Sequence, residues 1–417
     1  MNSSGPAARS LHEALSALQQ SNMPQAGRAA LQALEAFLAV DDPTGAAAAH
    51  QVLAMVAASR DDYGGAAAHV ESAIGLRERT GDVEGVASLH QEMFELCLRA
   101  GDLPGARRAL EAQKGAHERA GDREGVAHTL HQLAQVLLQS GEVAEAENYV
   151  QEAIFSMQGP QGARARSALQ LLYANIWVKR GDPERAMRHA HEGLELARSA
   201  RFRPGEIDAL QEIGTLYAAM GEWDLSRRTL LEALNGRELL KDLDGKAHVL
   251  REIAGVEFAT GNIDLAFEHL DYAVRTVRET GNLIGEITLL QLVQSSAEEY
   301  EQPEIALKAA LDLVKAAEAL QDPESIAAAV VGLAQRYASI GNLPAARAGF
   351  ERANLIQQEL GLVEESAVSE GMLGQIVVAM GDVAEGRAML EHSLEALRRL
   401  GSDAADMVAE ILAELEA

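Results

Sequence analysis

The sequence predicts an all-α protein, an α-solenoid of ten helical hairpins followed by one capping helix. Three observations predict this fold class: a turn motif that recurs every forty residues, prolines that fall beside the turns, and apolar residues at helical spacing between them. The chain has 417 residues, of which 47% are hydrophobic and only 4% aromatic. Its core is therefore expected to consist mainly of Ala, Leu, Val and Ile.

The turn motif occupies ten positions that lie forty residues apart, with no insertion or deletion between them. Glycine opens seven of these turns, as in GDLPGA at Gly101 and GEVAEA at Gly141. A second turn lies halfway between them, as in GDVEG at Gly81 and GDREG at Gly121. Glycine supplies the left-handed residue that ends a helix, and the Asp or Asn after it is a good N-cap for the next helix.

Between the turns, apolar residues share one side of a helix. In the fourth repeat, Leu130, Leu133, Ala134 and Leu137 fall on one face, and no alternating β-branched pattern competes with a helix there. The prolines fall at segment edges, and proline is tolerated in the first turn of a helix but not in its interior. Each repeat is therefore expected to contain two helices of about sixteen residues, roughly 24 Å long.

We expect one continuous solenoid over residues 1–417. Its repeats would span residues 1–40, 41–80, 81–120, 121–160, 161–200, 201–240, 241–280, 281–320, 321–360 and 361–400, and its capping helix residues 402–416.

Small residues recur at fixed positions of each repeat and indicate close helix packing. In the fourth repeat, Leu133-Ala134, Gly141, Ala146 and Ala153 follow the order Leu-Gly/Ala, Gly, Ala, Ala, which resembles the tetratricopeptide repeat. The resemblance covers essentially the whole chain, and the forty-residue period is similar to that of Pins/LGN-type adaptors and kinesin light chains. Two features depart from the family pattern, since the early aromatic and the closing proline are absent. The resemblance implies a right-handed superhelix whose first helices line a concave surface.

The resemblance also implies where a partner would bind, namely on the first helix of each repeat beside the small position. Most residues there carry amides, which both donate and accept hydrogen bonds. A ladder of amides would hold the main chain of an extended peptide; the alternative is a set of solvated polar residues. The candidate peptide-binding residues are Gln51, Gln91, Glu95, Gln132, Gln135, Asn175, Gln211, Glu212, Arg251, Glu252, Gln291, Gln335 and Gln375.

Acidic residues stand among these amides. If they line the concave surface, they favour a basic or amphipathic partner; the alternative is a solvated acidic face. These residues are Glu92, Glu95, Asp208, Glu212, Glu252, Glu257, Glu298 and Glu299.

The formal charge of −27 excludes nucleic-acid binding through surface charge and disfavours docking on an anionic membrane. No signal peptide and no apolar stretch of about 18 residues is present, so we expect a soluble, cytoplasmic protein. Arg outnumbers Lys thirty to six and Ala is abundant, a composition typical of a GC-rich bacterial coding sequence.

No catalytic motif, metal site or cofactor site is recognisable. The single cysteine, Cys97, excludes an internal disulfide and is expected to be a buried core thiol. His128 and His131 share a helix face, and His90 holds a related position one repeat earlier, but no further ligand completes a metal motif. No HExxH sequence and no phosphate-binding loop occurs. We therefore expect no metal, no cofactor and no enzymatic activity.

These observations favour a protein–protein interaction scaffold or adaptor that binds a partner peptide or helix in its concave groove. Two alternatives stay open. One is a regulatory sensor of a signalling peptide. The other is a self-assembling scaffold, in which the first repeat (residues 11–40) or the tail (residues 407–415) of one molecule lies in the groove of another and forms a homo-oligomer.

Overall fold

The computed structural model describes residues 5–157 and 162–415. Over these residues the chain forms 21 α-helices and no β-strand, so the all-α prediction is confirmed. The helices are α1 (Pro6–Gln19), α2 (Met23–Ala39), α3 (Pro43–Ala58), α4 (Tyr63–Thr80), α5 (Val83–Arg99), α6 (Leu103–Ala120), α7 (Arg123–Gln139), α8 (Val143–Ser156), α9 (Ala163–Lys179), α10 (Pro183–Ser199), α11 (Arg203–Ala219), α12 (Trp223–Leu240), α13 (Leu243–Ala259), α14 (Ile263–Thr280), α15 (Leu283–Glu299), α16 (Pro303–Leu320), α17 (Pro323–Ser339), α18 (Leu343–Leu360), α19 (Val363–Ala379), α20 (Val383–Leu400) and α21 (Ala404–Glu414).

Odd-numbered helices up to α19 are the first helices of the repeats, and even-numbered helices are the second helices. The number and order of the described helices, twenty followed by one terminal helix, agree with the predicted ten hairpins and a capping helix. The predicted limit between the fourth and fifth repeats, at residues 160 and 161, lies outside the described residues, as does residue 416 at the end of the capping helix.

The chain divides into two compact units. Unit 1 spans Met1–Gly221 and contains α1–α11, whereas unit 2 spans Glu222–Ala417 and contains α12–α21. Within each unit every helix packs against the next one along the chain. Each unit is thus a solenoid of stacked helices, and a single domain over residues 1–417 stays a prediction.

The turns have the conformation that their sequence predicts. Gly101 has a φ of 72°, and Asp102 behind it accepts a 2.8 Å hydrogen bond from the amide of Gly105. The amide of Asp102 in turn donates to the carbonyl of Cys97, five residues earlier, which closes the preceding helix. One dipeptide therefore ends one helix and begins the next.

Seven turns reach the same left-handed conformation without glycine. Lys241, for example, has a φ of 56° and Arg201 a φ of 51°. A side chain in this region costs of the order of 1 kcal/mol, which the two flanking helices must offset. The seven residues are Ser21, Asp41, Asp61, Arg201, Lys241, Glu301 and Gln321.

The core consists of small residues where paired helices touch and larger aliphatic residues beside them. Ala146 and Ala153 of α8 are fully buried, as are Leu133 and Ala134 of α7 opposite them. Small side chains let two helices approach closely, and the neighbouring Leu fills the remaining space. The same positions in other repeats are also fully buried: Ala26, Ala33, Ala66, Ala73, Ala106, Ala186, Ser226, Ala233, Ala266, Ala273, Ala346, Ala353 and Ser393.

The last helix covers the final repeat. Val408 of α21 is fully buried and packs in one cluster with Leu390 and Leu397 of α20 and Ala367 of α19. Without α21, these apolar residues would face water.

Candidate functional site

The predicted partner-binding residues all lie on first helices. In unit 1, Gln51 lies on α3, Gln91 and Glu95 on α5, Gln132 and Gln135 on α7, Asn175 on α9, and Gln211 and Glu212 on α11; in unit 2, Arg251 and Glu252 lie on α13, Gln291 on α15, Gln335 on α17 and Gln375 on α19. Glu95, Gln135, Asn175, Gln291 and Gln375 are exposed, and the other eight are half-buried. We call the side of each first helix that carries these residues the first-helix face.

Helix periodicity explains why these polar side chains avoid the core. In α7, Leu130, Leu133 and Leu137 are fully buried, whereas Gln135, two residues after Leu133, is exposed. Residues three and four apart share one side of a helix, so Gln132 and Gln135 project together. The sequence pattern therefore places these amides on one common side of α7.

Contacts between neighbouring first helices bring parts of this face together. In unit 1, the amide nitrogen of Gln51 on α3 donates a 3.3 Å hydrogen bond to Glu92 on α5. In unit 2, Arg336 on α17 forms a 3.2 Å ion pair with Glu298 on α15. The amide nitrogen of Gln335 on α17 also contacts the sulfur of Met372 on α19 at 3.5 Å. These contacts join the first-helix faces of α3 and α5, and those of α15, α17 and α19.

Several predicted amides are already engaged by their own chain. Gln91 donates to Glu95 at 3.2 Å, and Asn175 donates to the carbonyl of Leu171 at 3.3 Å. Gln135, Gln291 and Gln375 form no hydrogen bond within residues 5–157 and 162–415. The predicted amides therefore do not form an unbroken ladder of free groups. Gln135, Gln291 and Gln375 are the exposed amides whose hydrogen-bonding groups stay available.

The acidic residues of the first helices differ in how their charge is compensated. Glu252 is paired with Arg251 at 2.6 Å, and Glu298 with Arg336. No ion pair in the described part of the chain neutralises Glu92 or Glu95. Burial raises the pKa of Glu92, whose hydrogen bond from Gln51 favours the charged form. Glu92 and Glu95 on α5 are thus carboxylates of this face that no cation in the described part of the chain compensates.

Glu257 does not belong to this face, contrary to the sequence prediction. Its side chain is 1% exposed and accepts hydrogen bonds from the Nε of Arg227 at 2.6 Å and the Nη2 of Arg227 at 2.9 Å. The side-chain amide of Asn262 donates a third bond to the same carboxylate at 2.7 Å. Hydrogen bonding by Arg227 lowers the pKa of Glu257, which stays ionised inside unit 2.

A cavity of about 350 Å³ opens on the first-helix face of unit 2, between α15 and α17. Gln291, Gln294 and Ser295 of α15 form one side, and Ala328 and Gly332 of α17 the other. The floor includes Leu313 of α16. Of these residues only Gln291 was predicted. The signal for the cavity was present in the sequence, since Gln294 and Leu313 occupy positions where most repeats carry Ala or Gly.

The described residues contain no group of three or more His, Cys, Asp or Glu side chains that could hold a metal ion. Burial is the main cause that lowers the pKa of His131 to about 4, so this side chain is neutral at pH 7. Cys97 is only half-buried rather than fully buried, and burial raises the pKa of its thiol. No helix in the part of the chain that the structure describes is long and apolar enough to cross a membrane.

Comparisons with known proteins agree with this fold. The family model of the tetratricopeptide repeat matches residues 126–154, which comprise most of α7 and α8, and the resemblance seen in the sequence is thereby confirmed. No curated protein matches the chain by sequence.

Three similar solved structures share little sequence identity with this chain. A Signal Transduction ATPase with Numerous Domains (STAND) protein with a tetratricopeptide repeat sensor, from Pyrococcus horikoshii, has a TM-score of 0.50 and 16% identity, covering 82% of this chain and 55% of that protein. Aspartyl phosphate phosphatase F from Bacillus subtilis has a TM-score of 0.47 and 13% identity, covering 86% and 95%. The quorum sensor NprR from B. thuringiensis has a TM-score of 0.41 and 12% identity, covering 81% and 99%. The chain thus spans about half the length of the STAND protein, and the likeness to that structure concerns the fold alone.

Proposed function

Because the chain carries a tetratricopeptide repeat at residues 126–154 within an array of similar helical hairpins, we propose that it is a non-catalytic scaffold that binds a peptide or helix of a partner protein. The observation that carries this proposal is the first-helix face, which bears the exposed amides Gln135 and Asn175 in unit 1 and Gln291 and Gln375 in unit 2. In unit 2, Gln291 also lines a cavity. Solenoids expose long surfaces of this kind because each repeat contacts only its neighbours.

The chemistry of the face favours a partner with hydrogen-bond donors and a basic or amphipathic segment. In each unit by itself, exposed amides can bind a peptide main chain without demanding one side chain: Gln135 in unit 1, and Gln291 and Gln375 in unit 2. Glu92 and Glu95 add negative charge that no cation of the described chain offsets, so a basic partner gains attraction and an acidic one is repelled. The cavity between α15 and α17 accommodates one apolar side chain of the partner.

The proposal is tested by affinity capture with the purified chain and quantitative mass spectrometry. A triple variant, Gln135→Ala with Asn175→Ala and Gln211→Ala, removes three amides of the first-helix face in unit 1. The control triple variant, Asn148→Ala with Gln151→Ala and Glu192→Ala, changes polar residues on the second helices α8 and α10. We expect the first variant to lose partners that the control retains. Equal capture by both variants would refute a partner site on these first helices.

A second pair of variants tests the cavity. A Cβ atom added at Gly332 approaches only the side-chain amide of Gln294, at 3.7 Å, which is an ordinary van der Waals contact. Gly332→Leu is therefore expected to fill part of the cavity. Gly255→Leu is the control, because Gly255 is exposed on the first helix α13 and an added Cβ meets nothing within 4 Å. The captured partner should bind Gly332→Leu more weakly than Gly255→Leu; the reverse order argues against this site.

A further inference from the structure

A second and larger cavity lies within unit 2 on the side of the second helices. It has a volume of about 730 Å³ and is bounded by α14 on one side and α16 on the other, with α15 beneath. Phe267, Leu290, Val293 and Ile305 form its apolar lining. No residue of the first-helix face lines it, so it is independent of the proposed partner site.

The small side chain of Ala309 contributes to the volume of this cavity. Ala309 of α16 borders the cavity and is 3% exposed. The equivalent positions in other repeats, at multiples of forty residues away, carry small residues in some cases, such as Ala29 and Ala109, and large ones in others, such as Tyr149, His189 and Met389. A larger side chain at residue 309 would therefore fill part of the volume, and the repeat architecture accommodates one.

Ion pairs link the two walls of the cavity. The Nζ of Lys308 on α16 lies 3.2 Å from Asp271 on α14, and Arg278 on α14 lies 3.1 Å from Asp312 on α16. Arg275, the third cation at the rim, is paired with Asp271 at 3.0 Å. Arg278 also pairs with Glu286 at 2.5 Å. Three carboxylates therefore balance the three cations, and an anionic ligand would have to displace one of these carboxylates.

The remaining charge around the cavity is negative. Asp264 and Glu268 line it and form no ion pair among the described residues. Burial lowers the pKa of His269, the neighbouring titratable group on α14, so this imidazole adds no positive charge at pH 7. The lining therefore combines an apolar floor with a rim that repels anions.

We propose that this cavity is a binding site for a small, predominantly apolar molecule that carries no negative charge. Its volume falls within the range of roughly 300–1,000 Å³ that small-molecule sites occupy, and its apolar floor with a few polar groups at the rim is typical of them. Burial of the ligand's apolar surface against Phe267, Leu290 and Val293 provides the affinity. The unpaired carboxylates favour a neutral or cationic ligand over an anionic one.

The charge preference is tested with three probes that share one apolar body: 1-naphthalenemethanol, 1-naphthylmethylammonium and 1-naphthoate. Binding to the full chain at pH 7 is measured by saturation-transfer NMR and titration calorimetry. We expect the neutral and cationic probes to bind, and the anionic probe to bind at least about tenfold more weakly. Equal binding of naphthoate, or no saturable binding of any probe at millimolar concentration, would overturn the proposal.

The location is tested with Ala309→Met, which introduces the side chain that Met389 already provides in the tenth repeat. Thr229→Met is the matched control, because residue 229 has the equivalent position on α12 and does not line the cavity. Ala309→Met should weaken probe binding at least about tenfold and Thr229→Met less than about twofold.

A measurement on the unmodified chain covers the case in which Ala309→Met does not fold. Methyl resonances of Leu290, Val293, Ile305 and Ala309 should shift when 1-naphthylmethylammonium is added. Wild-type affinity in a folded Ala309→Met variant, or shifts confined to other methyl groups, would contradict the proposed site.

Discussion

The pKa of His131 links one side chain to the stability of unit 1. Burial lowers this pKa from 6.5 to about 4, and the positive charge of nearby His128 adds to the effect. The unfolded chain therefore binds more protons than the folded chain between these two values. The contribution of His131 to the free energy of unfolding is fully present above pH 6.5 and is lost as the pH falls towards 4. At pH 5 the loss amounts to about 2 kcal/mol.

We predict that His131→Leu reduces the loss of stability in acid. Leucine already occupies the equivalent position of the next repeat, as Leu171. Urea unfolding of unit 1 can be followed by Trp177 fluorescence in a Trp223→Phe background, at pH 7.5 and pH 5. The variant should lose about 2 kcal/mol less than the parent between these pH values. An exposed-site control, His191→Leu, should behave like the parent, and identical pH profiles for all three chains would disprove the assignment.

Replacing the left-handed residue Lys241 by glycine is predicted to stabilise the protein. Glycine at this position removes the steric cost of a φ of 56°, so Lys241→Gly should raise the free energy of unfolding by about 0.5–1 kcal/mol. The reverse change at a glycine turn, Gly281→Lys, should lower it by a similar amount, since Gly281 has a φ of 71°. Both effects are measured by urea unfolding followed at Trp223, and a destabilised Lys241→Gly variant would contradict the explanation.

At the scale of helices, the contact between α7 and α8 depends on small side chains. Ala146 is fully buried opposite Leu133 and Ala134, so a larger residue there overpacks the hairpin. We predict that Ala146→Leu lowers the free energy of unfolding by about 1–3 kcal/mol. Ala144→Leu, on the exposed side of the same helix, should change it by less than about 0.5 kcal/mol. Equal values for the two variants, measured by urea unfolding, would show that the close approach is unimportant.

A buried ion pair joins α12 to α13 in unit 2. Glu257 is 1% exposed and Arg227 is 26% exposed, so Glu257→Gln leaves a partly buried guanidinium whose remaining carboxylate partner is the exposed Asp224, at 3.2 Å. We predict a loss of about 2 kcal/mol, a figure reduced from the fully buried case because Arg227 reaches solvent. Trp223 on α12 reports the unfolding in a Trp177→Phe background.

The double variant Glu257→Leu with Arg227→Leu tests whether Glu257 matters only as the counter-charge of Arg227. It removes both charges together, and it should lie within about 1 kcal/mol of the parent. A double variant that is less stable than Glu257→Gln would mean that the carboxylate has a role beyond balancing Arg227.

Helix positions were predictable from the sequence because their signals are local. A glycine or a left-handed polar residue follows every described helix except α8 and α21. The next residue or a proline then begins the following helix, as at Gly101 and Asp102. The first-helix location of the candidate site was implied by the resemblance to the tetratricopeptide repeat, and it stays a prediction. The pairing of charges was not predictable, since whether Glu257 or Glu92 meets an arginine depends on the separation of neighbouring helices. The two cavities were also missed, because each is lined by helices of two neighbouring repeats, and the sequence does not give the separation of those helices.

At the scale of the whole molecule, each repeat depends on its neighbours and on little else. Val408 of α21 is fully buried against α20, so Val408→Asp should unfold the end of unit 2. Because repeat arrays are stabilised by nearest-neighbour contacts, the damage should stay local. Hydrogen exchange measured by mass spectrometry should show lost protection in α19–α21 and unchanged protection in α1–α10. Met407→Asp, at an exposed neighbouring position, is the control, and uniform loss of protection would refute local stabilisation.

The constant spacing of helix starts in this fold has an evolutionary consequence. A duplication or excision of forty codons can begin at any point of a repeat. It joins the first part of one helix to the remaining part of the equivalent helix in another repeat, so every helix cap and packing surface keeps its position in the repeat. An event of twenty codons would instead fuse a first helix to a second one and place amides where the interior requires alanine. Such a gene can lengthen or shorten by recombination between its own similar segments, in steps of one whole hairpin, while each intermediate still encodes a foldable chain.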